Sequence, residues 1–243
     1  MALPYFHIDT TPGGNDELVL NEETSSHIVQ VLRMKAPEHI KLTDGKGNTY
    51  VAEIVRADKK CAFVKITEAE YLPPPAANTC IGISLLKNAS RFEWFLEKAT
   101  EIGVTRIIPL ICHRTEKEHF RPDRMKNILV SAMLQSQQSW LPLMDKPVKF
   151  MEVIDEPFAP GKYIAHCGED ESKRSLAFIL KQQQHTEQGM FTARTILIGP
   201  EGDFTKEEIE KAIAHKYIPV SLGETRLRTE TAGIASAVLL RFV

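Results

Sequence analysis

RTILIGPEGDFTKEEIEKAIAHK, residues 194–216, reads as a strand, a turn and a helix in immediate succession. RTILIG is a short apolar run closed by Gly199, the pattern of a strand buried on both faces. Thr205 followed three residues later by Glu208 is a capping box, in which each side chain serves an amide that the first helical turn leaves unpaired. TKEEIEKAIAHK therefore opens as a helix. The intervening Gly199-Pro200-Glu201-Gly202 has two readings on local grounds: a loop whose glycines let backbone approach a ligand, or a tight βα turn without one. It is not a Walker loop, because position 204 is Phe204 and no Gly-Lys-Ser/Thr follows, and it is not GxGxxG, which disfavours a dinucleotide site.

The same alternation extends to both sides. CIGISLL (80–86), RIIPLIC (106–112), KYIAH (162–166) and IPVSLG (218–223) are strand candidates. Between them, RFEWFLEKATEIG sets Phe92, Phe95, Leu96, Ala99 and Ile102 on one helical face with Gly103 as a stop. Residues 122–138 carry Met125, Ile128, Leu129, Ala132 and Met133 at helical spacing, and 172–183 reads as a further helix. TAGIASAVLLRF (231–242) is apolar on most faces, so it is expected to be buried, in part at an interface. Strands alternating with helices specify an α/β domain with a mainly parallel sheet, whose ligands bind beyond the carboxyl ends of the strands.

Upstream the pattern changes. EYLPPPAANT (70–79) holds three successive prolines and reads as a stiff linker. Before it, HIKLT (39–43) and TYVAEIVR (49–56) flank the turn-rich DGKGN as a hairpin, CAFVKIT (61–67) alternates as a strand, and Ser25–Met34 places Ile28, Val31 and Leu32 on one side of a short helix. The expected organisation is a small β-barrel over 1–72, a linker over 73–79 and the α/β domain over 80–243.

Composition narrows the function classes. The chain has 243 residues, 43% hydrophobic and 26% charged, which is ordinary for a globular protein. No apolar run approaches the roughly 20 residues of a membrane helix, and MALPYFHIDTTPGG lacks the basic-then-apolar start of a secretory signal, so the expected location is the cytoplasm. Cys61, Cys80, Cys112 and Cys167 are too far apart for a zinc knuckle, and no HExxH occurs, so no metal is expected. The net charge of −2 hides a division: residues 1–75 hold 8 basic against 11 acidic side chains, residues 87–149 hold 11 against 7. An anionic partner would favour the second stretch.

SLGETRLRTETAG (221–233) leaves a strand and enters the last helix. It gathers Glu224, Arg226, Arg228, Thr229, Glu230 and Thr231 beside a buried element, where polar groups must find partners. Either they form a site, or Thr229 and Glu230 cap the helix while the arginines face solvent.

Taken together, GPEGDFTKEEIE and LGETRLRTETA resemble the signature of RsmE-type RNA methyltransferases of the SPOUT class. HIVQVLRM followed by LTDGKGNTYVAEI is similar to that family's N-terminal PUA-like barrel, and Arg91–Arg114 around EKATEIGVTRIIPL to the start of its methyltransferase domain, so the resemblance covers nearly the whole chain. It departs from the family at AMLQSQQSWLP (132–142), where Leu134 and Gln138 stand at the places of a commonly acidic and a commonly basic residue.

The resemblance implies a C-terminal α/β domain tied in a deep trefoil knot, a homodimer sharing its active sites, S-adenosylmethionine as cofactor, and methylation of N3 of a uridine in 16S ribosomal RNA of the small subunit. Carried onto this sequence, it implies cofactor contacts at His166, Cys167, Gly168, Ile198, Gly199, Pro200, Glu201, Gly202, Leu222, Gly223, Leu227, Arg228 and Thr231, with Leu222 and Leu227 sandwiching the purine. Arg228 would stabilise the uracil anion or hold the target phosphate, and Glu230 is the nearest candidate base. RNA contacts are expected from Arg33, Lys87, Arg91, Lys98, Arg114 and Arg121. Two other functions share this fold: a ribosome-assembly RNA binder with a vestigial site, and a methyltransferase acting on a ribose 2′-oxygen or on transfer RNA.

Overall fold

A computed structural model describes residues 3–12, 17–156, 160–168, 173–184 and 193–243. Two compact units emerge: Met1–Pro74 with Met133–Leu141, and Pro75–Ala132 with Pro142–Val243.

In the first unit, β1 (Tyr5–His7), β2 (Glu17–Val19), β3 (His39–Thr43), β4 (Asn48–Arg56) and β5 (Phe63–Tyr71) form one sheet in the order β1-β3-β4-β5-β2. The hairpin is present: β3 and β4 are antiparallel with Thr43 opposite Thr49. Tyr50, Ala52 and Ile54 of β4 and Val64 and Ile66 of β5 alternate into a core with Ile40 and Leu42. The helix expected over Ser25–Met34 is different. It is α1 (Glu22–Ser26), capped by Asn21, followed by a π-helical turn, His27–Val31. The wider turn breaks the 3.6-residue period, so Ile28 is fully buried while Val31 is 67% exposed and Leu32 is also exposed. Met133–Leu141 packs in this unit: the Gly47 and Leu141 amides donate to Ser139 O and Gly45 O, the Tyr5 hydroxyl donates to Gln138 O, and Trp140 Nε1 donates to Leu72 O at 2.9 Å.

The hairpin turn centres on Asp44, which is buried. Its carboxylate accepts from Thr11 Oγ1 at 2.8 Å, the Lys46 amide at 2.8 Å and Asn48 Nδ2 at 2.6 Å. Burial pushes its pKa up, but these bonds, Asn48's first, outweigh burial and hold it below the usual aspartate value. A depressed pKa gives stability that is present above the unfolded value, about 3.9, and lost as pH falls through the folded one. Asp44→Ala is expected to cost about 2–3 kcal/mol near neutral pH, by orphaning buried donors. Urea titrations should show the gap to wild type closing below about pH 4. A gap that does not change with pH would show that the carboxylate charge contributes nothing.

In the second unit, β6 (Asn78–Ser84), α2 (Ala89–Ile102), β7 (Arg106–Ile111), α3 (Pro122–Gln135), β8 (Leu143–Met144), β9 (Val148–Lys149), α4 (Phe150–Asp155), β10 (Gly161–Ala165), β11 (Arg174–Ser175), α5 (Leu176–Gln184), β12 (Ala193–Ile198), α6 (Lys206–Ala214), β13 (Ile218–Ser221) and α7 (Thr229–Phe242) follow one another. α3 begins in this unit, and its last residues belong to the first. The sheet order is β11-β13-β10-β12-β6-β7-β8, with β9 also on β7, and every pairing is parallel. Ile81, Ile83, Ile107, Ile108, Ile196 and Leu197 are buried on both faces of the central strands. The strand expected at 80–86 starts earlier, so Asn78 and Thr79, read as linker, belong to β6. β8, β9, β11 and α4 were not anticipated.

α2 ends where Gly103 takes a left-handed φ of 93°, which a glycine adopts without a Cβ penalty. α7 was expected to be buried, in part at an interface. It turns its small face, Gly233, Ser236 and Ala237, to α2 and β6 and leaves Val238 and Phe242 exposed. Pro109 lies within β7, at the level between the short β8 and β9.

Candidate active site at the carboxyl edge of the sheet

Beyond the carboxyl ends of β10, β12 and β13 lies a cavity of about 550 Å³, lined by 165–167, Lys173, 198–201, Asp203, 220–229 and Ala232. That volume suits a small organic molecule. Its first wall follows from β12. The chain turns at Pro200, whose carbonyl accepts the Asp203 amide at 2.9 Å, with Asp203 at φ 64°. Phe204 then plunges into the core against Phe150, and the Thr205–Glu208 capping box starts α6, as the sequence requires. Gly199 is needed by this turn itself, because a Cβ there would lie 3.1 Å from the Phe204 amide nitrogen.

Asp203 joins two loops: Oδ1 accepts from the Phe204 amide and Oδ2 from the Cys167 amide, both at 2.8 Å. Lys173 closes the β10 loop, its ammonium donating to His166 O and Gly168 O. The third wall runs from β13 into α7. Ser221 Oγ donates to Gly223 O at 2.8 Å and folds the chain back on itself. Gly223 has φ 149° and nothing within 4 Å of a would-be Cβ.

The structure thus gathers His166, Cys167, Ile198, Gly199, Pro200, Glu201, Leu222, Gly223, Leu227 and Arg228 around one cavity. Gly168, Gly202 and Thr231 are not on its wall; Gly202 faces Arg114. Lys173 and Asp203 are additions, with Thr225 and Arg226 from the second segment. Asp203 lay inside the quoted GPEGDF, but its bond to Cys167 crosses 36 residues and has no local signal.

Arg228 is exposed and is the N-cap of α7, without a side-chain cap bond. Thr229 and Glu230 are therefore the first residues of the helix and do not cap it. Glu230 is buried beneath the first turn, with Oε1 3.6 Å from Arg91 Nε, and does not reach the cavity. A carboxylate there also complements the helix dipole.

Most of the expected RNA-contacting cations have partners. Lys87 meets Glu116 at 2.7 Å, Lys98 meets Glu97 and Glu101, Arg91 meets Glu230, and Arg121 Nε donates to His119. Arg114 donates to Gly202 O. Arg33 is exposed at φ 57° in the first unit. These head groups are thus engaged within the fold, but Glu97, Glu101 and Glu116 already belong to the stretch's 7 acidic residues, so its excess of positive charge remains. Leu134 is half-buried, and Gln138 Nε2 donates to Ser136 Oγ.

Burial pushes the Cys80 thiol up to about 12 and raises Cys112 as well, which makes both poor nucleophiles at neutral pH. Cys167 is exposed on the cavity rim. Among the described residues, no group of three or more His, Cys, Asp or Glu could hold a metal, and no helix is long and apolar enough to cross a membrane.

Comparison with known proteins agrees with this geometry. The RNA methyltransferase domain family matches residues 73–241, and the RNA methyltransferase PUA domain family matches 20–67. A Synechocystis protein named ribosomal RNA small subunit methyltransferase E is 30% identical over 85% of this chain and 66% of its own. A solved structure from Porphyromonas gingivalis, named a probable rRNA-methyltransferase, has TM-score 0.85 and 34% identity over 97% of this chain and 95% of that one. A ribosomal RNA small subunit methyltransferase E from Neisseria gonorrhoeae, solved bound to S-adenosyl methionine, has TM-score 0.83 and 26% identity over 98% and 96%. With both domains matched in order and the cavity framed by the two signature segments, the chain belongs to the RsmE family of RNA methyltransferases.

Proposed function

We propose that the protein transfers a methyl group from S-adenosylmethionine to N3 of a uridine in 16S ribosomal RNA. The observation that carries this reading is the cavity itself, whose walls include Gly199-Pro200-Glu201 and LGETRLRT (222–229). Its chemistry fits the cofactor. Ile198, Leu222 and Leu227 offer apolar surface to a purine, the loop backbones offer donors and acceptors, and Glu201, Glu224 and Arg226 offer partners to an ammonium and a carboxylate. Gly223 borders open space. When bound, the cofactor supplies an electrophilic sulfonium methyl whose leaving group needs no acid.

The chain's own residues must orient the base and ease the loss of its N3 proton. Arg228 is exposed on the wall, with no carboxylate within ion-pair distance among the described residues, and its cation suits a developing uracil anion or the target phosphate. In this reading Glu230, beside Arg91 and off the cavity wall, belongs to the first turn of α7 rather than to the proton transfer. Residues 1–72 would serve as the RNA-binding barrel, joined by 73–77 to a methyltransferase domain that begins with β6 at Asn78, with Arg33 and Arg121 among the contacts. The trefoil knot, a cytoplasmic location and a homodimer built on the exposed Val238 and Phe242 of α7 belong to the same reading. A solution mass of twice 27.4 kDa would support the dimer, and an active monomer would overturn it.

Primer extension on small subunits treated with protein and cofactor tests the chemistry. N3 methylation removes the pairing donor of uracil, so reverse transcriptase should stop one nucleotide before a single uridine, only when cofactor is present. Arg228→Ala should weaken that stop about tenfold at saturating cofactor. Methyl incorporation without a stop would place the methyl off the pairing edge of the base, on a ribose oxygen or a ring carbon, and overturn the reading.

A further inference from the structure

Arg114 was expected to touch RNA; it is exposed, yet its head group bonds back onto the protein. Its guanidinium Nη1 donates to Gly202 O at 2.7 Å, and Phe204 O lies 3.4 Å away. Its methylenes lie along Gly202: a Cβ on that glycine would fall 3.3 Å from Arg114 Cδ and 3.5 Å from Arg114 Cβ. The other named cations of the stretch from 87 onward that have carboxylate partners, Lys87, Arg91 and Lys98, lie beside Glu116, Glu230, and Glu97 with Glu101. Arg114 is held by neutral carbonyls.

The segment that carries Arg114 is itself fixed. Thr115 Oγ1 accepts from the Cys112 amide at 2.9 Å and shares a hydrogen bond with Ser84 Oγ at 2.9 Å. Glu208 Oε1 accepts from the His113 amide at 2.9 Å while its Oε2 accepts from the Thr205 amide. Residues 112–115 therefore form a strap from the end of β7, locked at both sides and aimed at the turn between Gly199 and Thr205. That turn presents Asp203 to the Cys167 amide across the cavity wall.

We infer that Arg114 is a positioning residue for the cofactor loop. It sets the carbonyls of 202 and 204, and through the intervening Asp203 it holds the β10 and β12 loops at the spacing that the ligand needs. The inference rests on the reading of the cavity as the S-adenosylmethionine site. It assigns the effect of Arg114 to cofactor affinity and none to RNA affinity.

Calorimetry on the full chain with S-adenosylhomocysteine, filter binding to small ribosomal subunits, and methyl-transfer kinetics test it together. Arg114→Ala removes a charged hydrogen bond, so the dissociation constant for S-adenosylhomocysteine and the KM for S-adenosylmethionine should each rise about tenfold. The kcat at saturating cofactor and the affinity for subunits should stay within about twofold of wild type. Arg114→Lys, which keeps one donor, should recover part of the loss, and millimolar guanidinium should partly rescue Arg114→Ala. Gly202→Val would push on the same side chain from outside the cavity. Its effect should largely vanish in the Arg114→Ala background, a non-additivity that general loosening of the fold would not produce. Unchanged cofactor affinity with weakened subunit binding would overturn the inference and return Arg114 to the RNA surface. Wild-type protein that binds no S-adenosylhomocysteine would overturn the reading of the cavity, and with it the inference.

Discussion

Gly233→Val should lower the melting temperature more than any other single change considered, by about 6–12 °C for a loss of about 3 kcal/mol. Propensity alone points the other way, because replacing a mid-helix glycine with alanine ordinarily gains about 0.5–1 kcal/mol. Packing decides the sign. A Cβ at position 233 would lie 2.6 Å and 2.8 Å from the Phe95 ring and 2.9 Å from Ile83 Cδ1. Both neighbours are fully buried, so neither can swing into solvent. α7 would have to lift from α2 and β6, carrying with it Thr229 and Ala232 on the cavity wall. Scanning calorimetry should show the alanine variant destabilised too, by less than valine. A rise in melting temperature for Gly233→Ala would mean that α7 does not press on Phe95 and Ile83 at this position.

Gly199→Val should weaken cofactor binding while leaving the fold in place. The obstacle is backbone: a Cβ would meet the Phe204 amide nitrogen at 3.1 Å and the Asp203 carbonyl carbon at 3.3 Å, and neither can rotate away as a side-chain tip would. Relief requires the turn to move, and the turn is the cavity wall. The wall must give by a few tenths of an ångström, and with the two valine methyls this is expected to cost about tenfold in affinity, about 1.4 kcal/mol. Affinity for S-adenosylhomocysteine by calorimetry should fall by about that factor, with circular dichroism unchanged. Native affinity in a folded variant would place the cofactor elsewhere. Gly202, which lies in the same motif, is the weaker choice, since its neighbour is the flexible Arg114 side chain.

These differences show what the sequence carries. The Thr205–Glu208 cap, the β3–β4 hairpin and the Gly103 stop each depend on residues a few positions apart, and each was legible. The apolar runs of β6, β7, β10 and β12 announced buried parallel strands. β8, β9 and β11 have two residues each, too few to show a period, and exist because a neighbouring strand recruits them. The π turn at His27–Val31 kept a helical spacing of apolar residues but turned two of them outward. At the site, the two signature segments were visible as motifs, whereas the bonds that brace them were not. Asp203 with Cys167 and Arg114 with Gly202 join residues 36 and 88 positions apart. The charge excess of 87–149 was real, yet its meaning depended on which carboxylates the fold set beside each cation.

Pro109 bears on a different hazard, self-association of the sheet. Leu110 O accepts from the Leu85 amide on one side of β7 and Ile107 O accepts from the Asp145 amide on the other. Peptide groups alternate along a strand, so Pro109 faces away from β6, toward the margin covered only by β8 and β9. A strand from a second molecule seeking to extend the sheet there would find no donor at that step and only two-residue templates on either side. An imino acid in the middle of an otherwise apolar strand leaves the β6 ladder intact and denies newly made or partly unfolded chains a foothold for cross-β growth.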